Sequence, residues 1–456
     1  YDLKFKKMDR LLAFLFPEGY VSNGSRVEGV FTVDNTSMFS MTGQLDTLKI
    51  GNNSFYHTEV DLNTSKFTNT PQVLASAIIR SDQQKLVGIA PTENMQIEAA
   101  WNEDHIAFRS NLRQQKLPNR ATLNGELRFV GDYMSLQFKK SKLRLLEEDW
   151  NLDANNLITI NGSEVLLSNV NLKADKKDQL ISLNGKMSTN GSEELAFETH
   201  NFELATLNPV LNVNLGGVAN GSLTMRDVYR TLIFDSQLQI KKLTYNNFLM
   251  GNLMGDGEWD PVDKHLHVDI HLDKNEKREF TVTGTYTPDR TDNELDLTAE
   301  FNETNLNLIE PFARGLVSNI TGKAVGKVSV KGAALSPVLD GTVDVKKGRL
   351  TFDYLKAVLS FEDKVYFGES DIRVKNLRLT DPEGNVANLR GGVYHDGFSK
   401  FSIGFDAEMR NFRMLNTTIR DNELFYGNAY TTGTMEIFGP INNLNISADL
   451  TSNKGT

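Results

Sequence analysis

Residues 265–273 read HLHVDIHLD. Apolar and polar residues alternate without a break, and a period of two defines a strand with one buried and one solvated face. His265, His267 and His271 fall on one row with Asp269 and Asp273, while Leu266, Val268, Ile270 and Leu272 form the other. The polar row raises the question of a metal. A His-x-His pair on a strand can converge on one ion, but a site also needs a third ligand from elsewhere. Lys264, Lys274 and Lys277 flank the row and repel a cation, so the expectation is a solvated face with no metal. The apolar row is the more informative half.

The same pattern runs outward from this stretch. It recurs in EVLLSNVNLKAD (164–175), GKVSVKG (326–332), GTVDVKKGRL (341–350) and DIRVKNLRLT (371–380). Val328, Val330, Val343 and Val345 occupy the apolar rows of two of these segments. Between the alternating runs stand Asn-Gly dipeptides at 23, 124, 161, 184, 190 and 220, and PEGN at 382–385. Asn-Gly supplies the positive φ angles that tight hairpins require. The expected fold is therefore all-β and dominantly antiparallel, with helix limited to short stretches near 3–16 and 304–317.

Length and composition set the bounds. A chain of 456 residues exceeds a single compact core. The net charge of −10 and the lack of any long run of like charges argue against a nucleic-acid partner, which needs a clustered basic face. There is no cysteine, which rules out disulfides, thiolate-bound zinc and a thiol nucleophile. The apolar run LLAFLF (11–16) is far shorter than the roughly 20 residues of a membrane span. The chain opens YDLKFKK, without methionine, and is expected to be an internal piece whose targeting segment lies upstream.

A longer period is superimposed on the alternation. A glycine followed by alternating apolar residues appears as GVFTV (29–33), GELRF (125–129), GSLTM (221–225), GKVSV (326–330) and GTMEI (433–437), at spacings of 96, 96, 105 and 107 residues. A phenylalanine precedes each, at Phe5, Phe108, Phe202, Phe301 and Phe412, and four copies place Pro17, Pro118, Pro209 or Pro311 in between. These are repeats of about a hundred residues, longer than the common solenoid period, each expected to hold eight to ten strands. With almost no helix to cover their apolar faces, the strands must pack sheet on sheet, close into barrels, or curl around something apolar. A row of β-sandwiches, as in a cell-surface or adhesive protein, is the alternative to one continuous curled sheet. The pattern crosses the repeat junctions without a conspicuous linker, which favours the single sheet.

Other chemistry finds no support. Dinucleotide, P-loop, zinc-protease and nucleophile-elbow motifs are missing from any strand–turn–helix context. DRTDNELD (289–296) lacks the central glycine of a calcium loop. Scattered acids are expected on any strand surface, and three Trp are few for a carbohydrate-active enzyme. The amphipathic stretch LKFKKMDRLLAFLF (3–16) fits the Phe-to-Pro segment of the repeat better than a membrane-surface helix.

The last part of the chain is more specific. Asp381, Gly384 and Asn385, the run Gly391–His395–Phe398, LNTT (415–418), DNELFYG (421–427) and IFGP (437–440) follow in an order that resembles the C-terminal region of the TamB family of bacterial envelope proteins. GKVSVKGAALSPVLDGTVDVKKGRL (326–350) resembles a strand pair of the same family. The resemblance implies an elongated, taco-shaped curled sheet with a hydrophobic groove, carrying phospholipid across the periplasm and contributing to outer-membrane protein assembly. It implies an inner-membrane anchor and an outer-membrane barrel partner in the full-length protein, no catalytic residue and no cofactor. The expected division is a repeat region, 1–320, and a TamB-like C-terminal region, 321–456, with the anchor outside this chain. The expected groove lining is Leu266, Val268, Ile270, Leu272, Val328, Val330, Val343 and Val345.

Overall fold

Alternation at period two becomes strand along nearly the whole chain. The computed structural model describes residues 1–4, 19–67, 72–86, 91–145, 148–208, 213–230, 232–288, 292–397, 399–421, 423, 426–441 and 443–455. Among the described residues thirty strands pair antiparallel in a curled sheet. Among the described residues two 3-10 segments are present, Leu204–Leu207 and Leu306–Phe312. The second lies in the expected 304–317 window; the stretch 5–16 falls outside the described residues.

By its internal contacts the chain divides into two units, Tyr1–Asn212 with Ala219–Ile233, and Val213–Val218 with Phe234–Thr456. In the second unit every strand from Ile233–Tyr245 to Asn445–Gly455 pairs with the next in sequence. The first unit runs likewise from Arg26–Val33 to Arg120–Val130. Sandwich modules of a hundred residues would interrupt these ladders at the repeat junctions. Instead the ladders cross them: Phe108 faces Gly125, Phe301 faces Gly326 and Met409 faces Gly433 on adjacent strands. In two of these copies the signature phenylalanine and glycine are thus a cross-strand pair, whereas in the last copy Met409 faces the glycine and Phe412 faces Thr431. A Cβ at Gly125 would meet Phe108 Cζ at 2.5 Å. Phe5, Pro17 and Pro209 lie outside the described residues.

Strand count departs from expectation. Six described strands fill the copies that begin near Gly29 and Gly326, because strands such as Val317–Ala333, Ser336–Phe352 and Ser399–Thr417 run 17 to 19 residues. Three Asn-Gly pairs also behave differently from the hairpin reading. Asn124-Gly125, Asn184-Gly185 and Asn220-Gly221 lie within strands, whereas those at 23, 161 and 190 sit at turns. The mid-strand asparagines serve bulges or loops beside them. The Asn169 amide donates to Asn184 Oδ1 (2.6 Å) and the Asn201 amide to Asn220 Oδ1 (2.9 Å). Asn169 and Asn201 both have positive φ, as an extra residue in a strand often requires. Lys242, Lys347 and Asn411 repeat the device in the second unit, their amides held by Asn252 Oδ1, Glu362 Oε1 and Thr432 Oγ1. Each bulge bends its strand and raises the local twist, which curls the sheet.

Candidate functional site

Residues directly opposite in an antiparallel ladder share a face, so the registers define what each side of the sheet presents. In the second unit four rows run across the strands. One joins Trp259, Leu266, Tyr286 and Leu295; the next joins Gly257, Val268, Gly284, Leu297, Val330 and Leu339. A third joins Gly255, Ile270, Val282, Ala299, Val328 and Gly341, and a fourth Leu253, Leu272, Phe280, Phe301, Gly326 and Val343. Val345 lies two residues beyond Val343 on the same face. All eight residues singled out from the sequence therefore belong to one apolar surface. Leu266, Leu272, Val328, Val343 and Val345 are buried, whereas Val268, Ile270 and Val330 are half-buried. Val328 and Val343 join Ala324 in a small core against Ala299, Phe301, Leu306, Leu339 and Phe367.

The first unit carries an equivalent face that sequence reading had not singled out. Val27, Gly43, Val60, Ile79 and Ile97 form one row, and Met41, Leu62, Ala77, Ala99 and Phe108 the next. Apart from the buried Gly43, these residues are half-buried. Toward one end of the strands the apolar residues of this face open to solvent: Phe31, Val33, Trp101 and Phe129 are exposed. Val30, Met38, Phe67, Leu74 and Val130, one position out of step, are exposed on the reverse side. An open depression of about 540 Å³ at the same strand ends is lined mainly from the reverse side, by residues such as Val30, Met38, Asn63, Leu74 and Asn102. The alternation in VLASAIIRS (73–81) was the available signal.

The opposite face is charged. Cross-strand partners on it are ion pairs in register: Glu300 with Lys327 (3.2 Å), Asp296 with Lys331 (3.5 Å), Asp344 with Lys364 (3.9 Å) and Asp406 with Arg390 (3.6 Å). Pairs this exposed add little stability, but they mark the side that meets water. The histidine row of HLHVDIHLD also lies on the polar side and splits in two. His271 stands between Asp269 (3.9 Å) and Asp273 (3.7 Å). His265 and His267 approach each other through their Nε2 atoms at 3.2 Å, with Asp260 Oδ2 3.8 Å from His267. Hydrogen bonds from the Asp263 and Val262 amides hold the Asp260 carboxyl below the usual carboxylate range.

The family-like segment is built around a buried carboxylate. Asp381 is 3% exposed at the turn between Asp371–Thr380 and Val386–Asp396. It accepts hydrogen bonds from the amides of Glu383 (3.0 Å), Asn385 (2.8 Å) and Arg413 (2.9 Å), and from Asn385 Nδ2 (2.9 Å). Burial pushes this carboxyl up, but the four hydrogen bonds outweigh it and the net shift is downward. Gly384, at φ +91°, supplies the positive angle of the turn. Beside it Leu377, Leu379, Ala387, Ala407, Met409, Phe412, Met414 and Met435 form a core of eight buried residues. Phe398 and parts of DNELFYG lie outside the described residues.

A sheet with one apolar face, a charged reverse side and no convergent catalytic constellation among the described residues is a β-protein built to present apolar surface. Residues 375–456 match the family described as the TamB C-terminal domain, and this match supports a TamB-family protein. No curated protein and no solved structure matches the chain. The family is one of bacterial envelope proteins, associated with envelope protein assembly and lipid transport, and is not in general an enzyme family. No helix among the described residues is long and apolar enough to cross a membrane.

Proposed function

We propose that the apolar face is a groove for phospholipid acyl chains, and that the chain is part of a bridge-like lipid-transfer protein working in the periplasm between inner and outer membranes. The reading includes a contribution to outer-membrane protein assembly, and an inner-membrane anchor and an outer-membrane barrel partner for the full-length protein. Within it, 1–320 is the repeat region of the groove and 321–456 the C-terminal region. No residue is assigned a catalytic role.

The observation that carries the reading is the incomplete covering of a continuous apolar face. The chain exposes 26680 Å², whereas two compact monomers of half its mass would together expose roughly 21,000 Å². Ile270, Val268 and Val330 are half-buried in the middle of that face, where the inner face of a sandwich would be dry. Each methylene of a lipid tail removed from water gains about 0.8 kcal/mol, so the face needs no polar recognition to hold lipid. Neighbouring strands repeat similar positions every ~4.8 Å, and a series without a deep minimum lets a chain slide.

The test places a photo-crosslinking residue at position 270, and separately at 267, of the full-length protein in cells carrying labelled phospholipid. Label at 270 and none at 267 is expected. Label at neither position in folded protein makes the row a dry core and overturns the reading. Ile270→Asp provides the second arm, because a charge in the apolar track should block transfer; an unchanged transfer rate removes this residue from the path.

A further inference from the structure

The histidines of the opening stretch lacked a third ligand in the sequence, and the hairpin supplies one. Asp260 and His265 are cross-strand partners at the closed end of the hairpin formed by Phe248–Asp260 and His265–Lys274. The turn holds the Asp260 carboxylate: Oδ1 accepts the amides of Val262 (2.8 Å) and Asp263 (3.1 Å), and the Lys264 amide closes on the Asp260 carbonyl (2.9 Å). Oδ2 is thereby turned toward the histidines, 3.8 Å from His267 Nε2. The two Nε2 atoms are 3.2 Å apart, with the rings at 81°. One donor atom from each of the three residues lies within 4.8 Å of the others.

These spacings fit a shared ion. Metal–nitrogen bonds of about 2.0–2.1 Å at tetrahedral angles separate donor atoms by roughly 3.3 Å. The flanking lysines oppose a cation less than their sequence positions suggest. Lys274 Nζ lies over the Phe248 ring at 4.6 Å, and Lys277 Nζ donates to the Glu303 carbonyl at 2.6 Å. Lys274 ends the hairpin strand and Lys277, its partner, begins the next, so both lie roughly 30 Å from His265 at about 3.3 Å per residue. Lys264 borders the cluster in the turn and is exposed. Against it stand Asp260 and Glu258, the latter being the cross-strand partner of His267 on the same face.

We propose that Asp260, His265 and His267 bind one divalent transition-metal ion of the borderline class that takes imidazole and carboxylate together, at the water-facing side of the hairpin. The ion ties the two strands where the turn enters, with the remaining positions open to water or to Glu258. This site is independent of the lipid reading, since it lies on the opposite face of the same strand.

The test is isothermal titration of untagged, chelator-treated chain with Zn²⁺. One ion per chain at micromolar Kd is expected, weakened at least tenfold in His265→Ala and in His267→Ala. Asp260→Asn, which keeps the oxygen that caps the turn, should weaken binding to a lesser degree. His271→Ala and His57→Ala should leave the affinity unchanged, because each of these rings stands between two carboxylates without a second imidazole. Far-UV circular dichroism checks that each variant folds. Absence of saturable 1:1 binding overturns the proposal and leaves a hydrogen bond between the two rings. Undiminished binding in the His265→Ala/His267→Ala double variant overturns it equally.

Discussion

The strands around 26–133 and those around 371–440 obey the same alternation and end in opposite states. In the first region Phe31 is 62% exposed and Val33 66%, with Trp101 and Phe129 exposed on the same face. In the second, Phe412 is 1% exposed and Met409 2%, inside a core of eight buried residues. Period two says that a face is apolar; it does not say what covers it. The cover in the C-terminal region comes from the sheet bending over itself. Phe352, Leu355, Leu359 and Phe361 pack on the cluster, and the Asn416 amide bonds to the Leu355 carbonyl at 3.0 Å. Three methionines in that core add side chains that adapt to irregular gaps. The two regions thus use one sequence pattern for two purposes, apolar surface in one and packing in the other.

The largest effect that tests this contrast is Phe412→Ala. Emptying a fully buried phenylalanine site costs about 3–5 kcal/mol, and the thermal unfolding midpoint of the C-terminal region should fall accordingly. Phe31→Ala, which removes the same ring from an exposed site, should change stability by no more than about 0.5 kcal/mol. Equal losses at the two positions would break the comparison. Next in size is Asp381→Asn. Hydrogen bonds to a charged acceptor are worth about 1.5–3 kcal/mol where burial makes their loss costly, and this carboxylate holds the Glu383–Asn385 turn to Arg413. Its folded pKa lies below that of an unfolded aspartate, near 3.9. The stabilisation is therefore present above about pH 4 and lost as pH falls through the folded value. The gap between wild type and variant should be full at neutral pH and close in acid, as read from denaturation midpoints across that range.

Much of this was legible beforehand, for physical reasons. Leu266, Val268, Ile270 and Leu272 had to share a face because side chains alternate. They share it with Val328, Val330, Val343 and Val345 because consecutive strands pair in sequence order, which the unbroken pattern already suggested. What was not legible depended on a neighbouring strand. Asn184 and Asn220 look like turn formers, but their side chains hold the amides of Asn169 and Asn201 one strand away. Asp260 joins His265 and His267 only through the hairpin register. The burial of Phe412 depends on a fold-over at Asn416 that no local pattern encodes. The Asp381, Gly384 and Asn385 motif was recognisable as family-like, yet its reason, a buried carboxylate collecting four donors, appears only when Arg413 arrives from another strand.

The smallest effects sharpen the comparison further, at glycines that face neighbouring strands. At Gly391, φ is +123° and an added Cβ would run into the Gly404 carbonyl oxygen and Phe405 Cα, both backbone. Neither can yield without breaking the ladder in the dense region, so Gly391→Ala should cost about 2 kcal/mol or more. At Gly125 the first obstacle is the Phe108 ring, met at 2.5 Å, with the Gln137 carbonyl oxygen behind it at 3.0 Å. Phe108 is only half-buried, and on an open face its ring can swing away from the added methyl. Gly125→Ala should therefore cost about 1 kcal/mol, and shortening the obstacle in Gly125→Ala/Phe108→Leu should recover part of that loss. A Gly125→Ala cost as large as that at Gly391, with no recovery in the double variant, would mean that the Phe108 ring is locked. The face around it would then be packed as tightly as the C-terminal core, and the contrast between the two regions would fail at its most sensitive point.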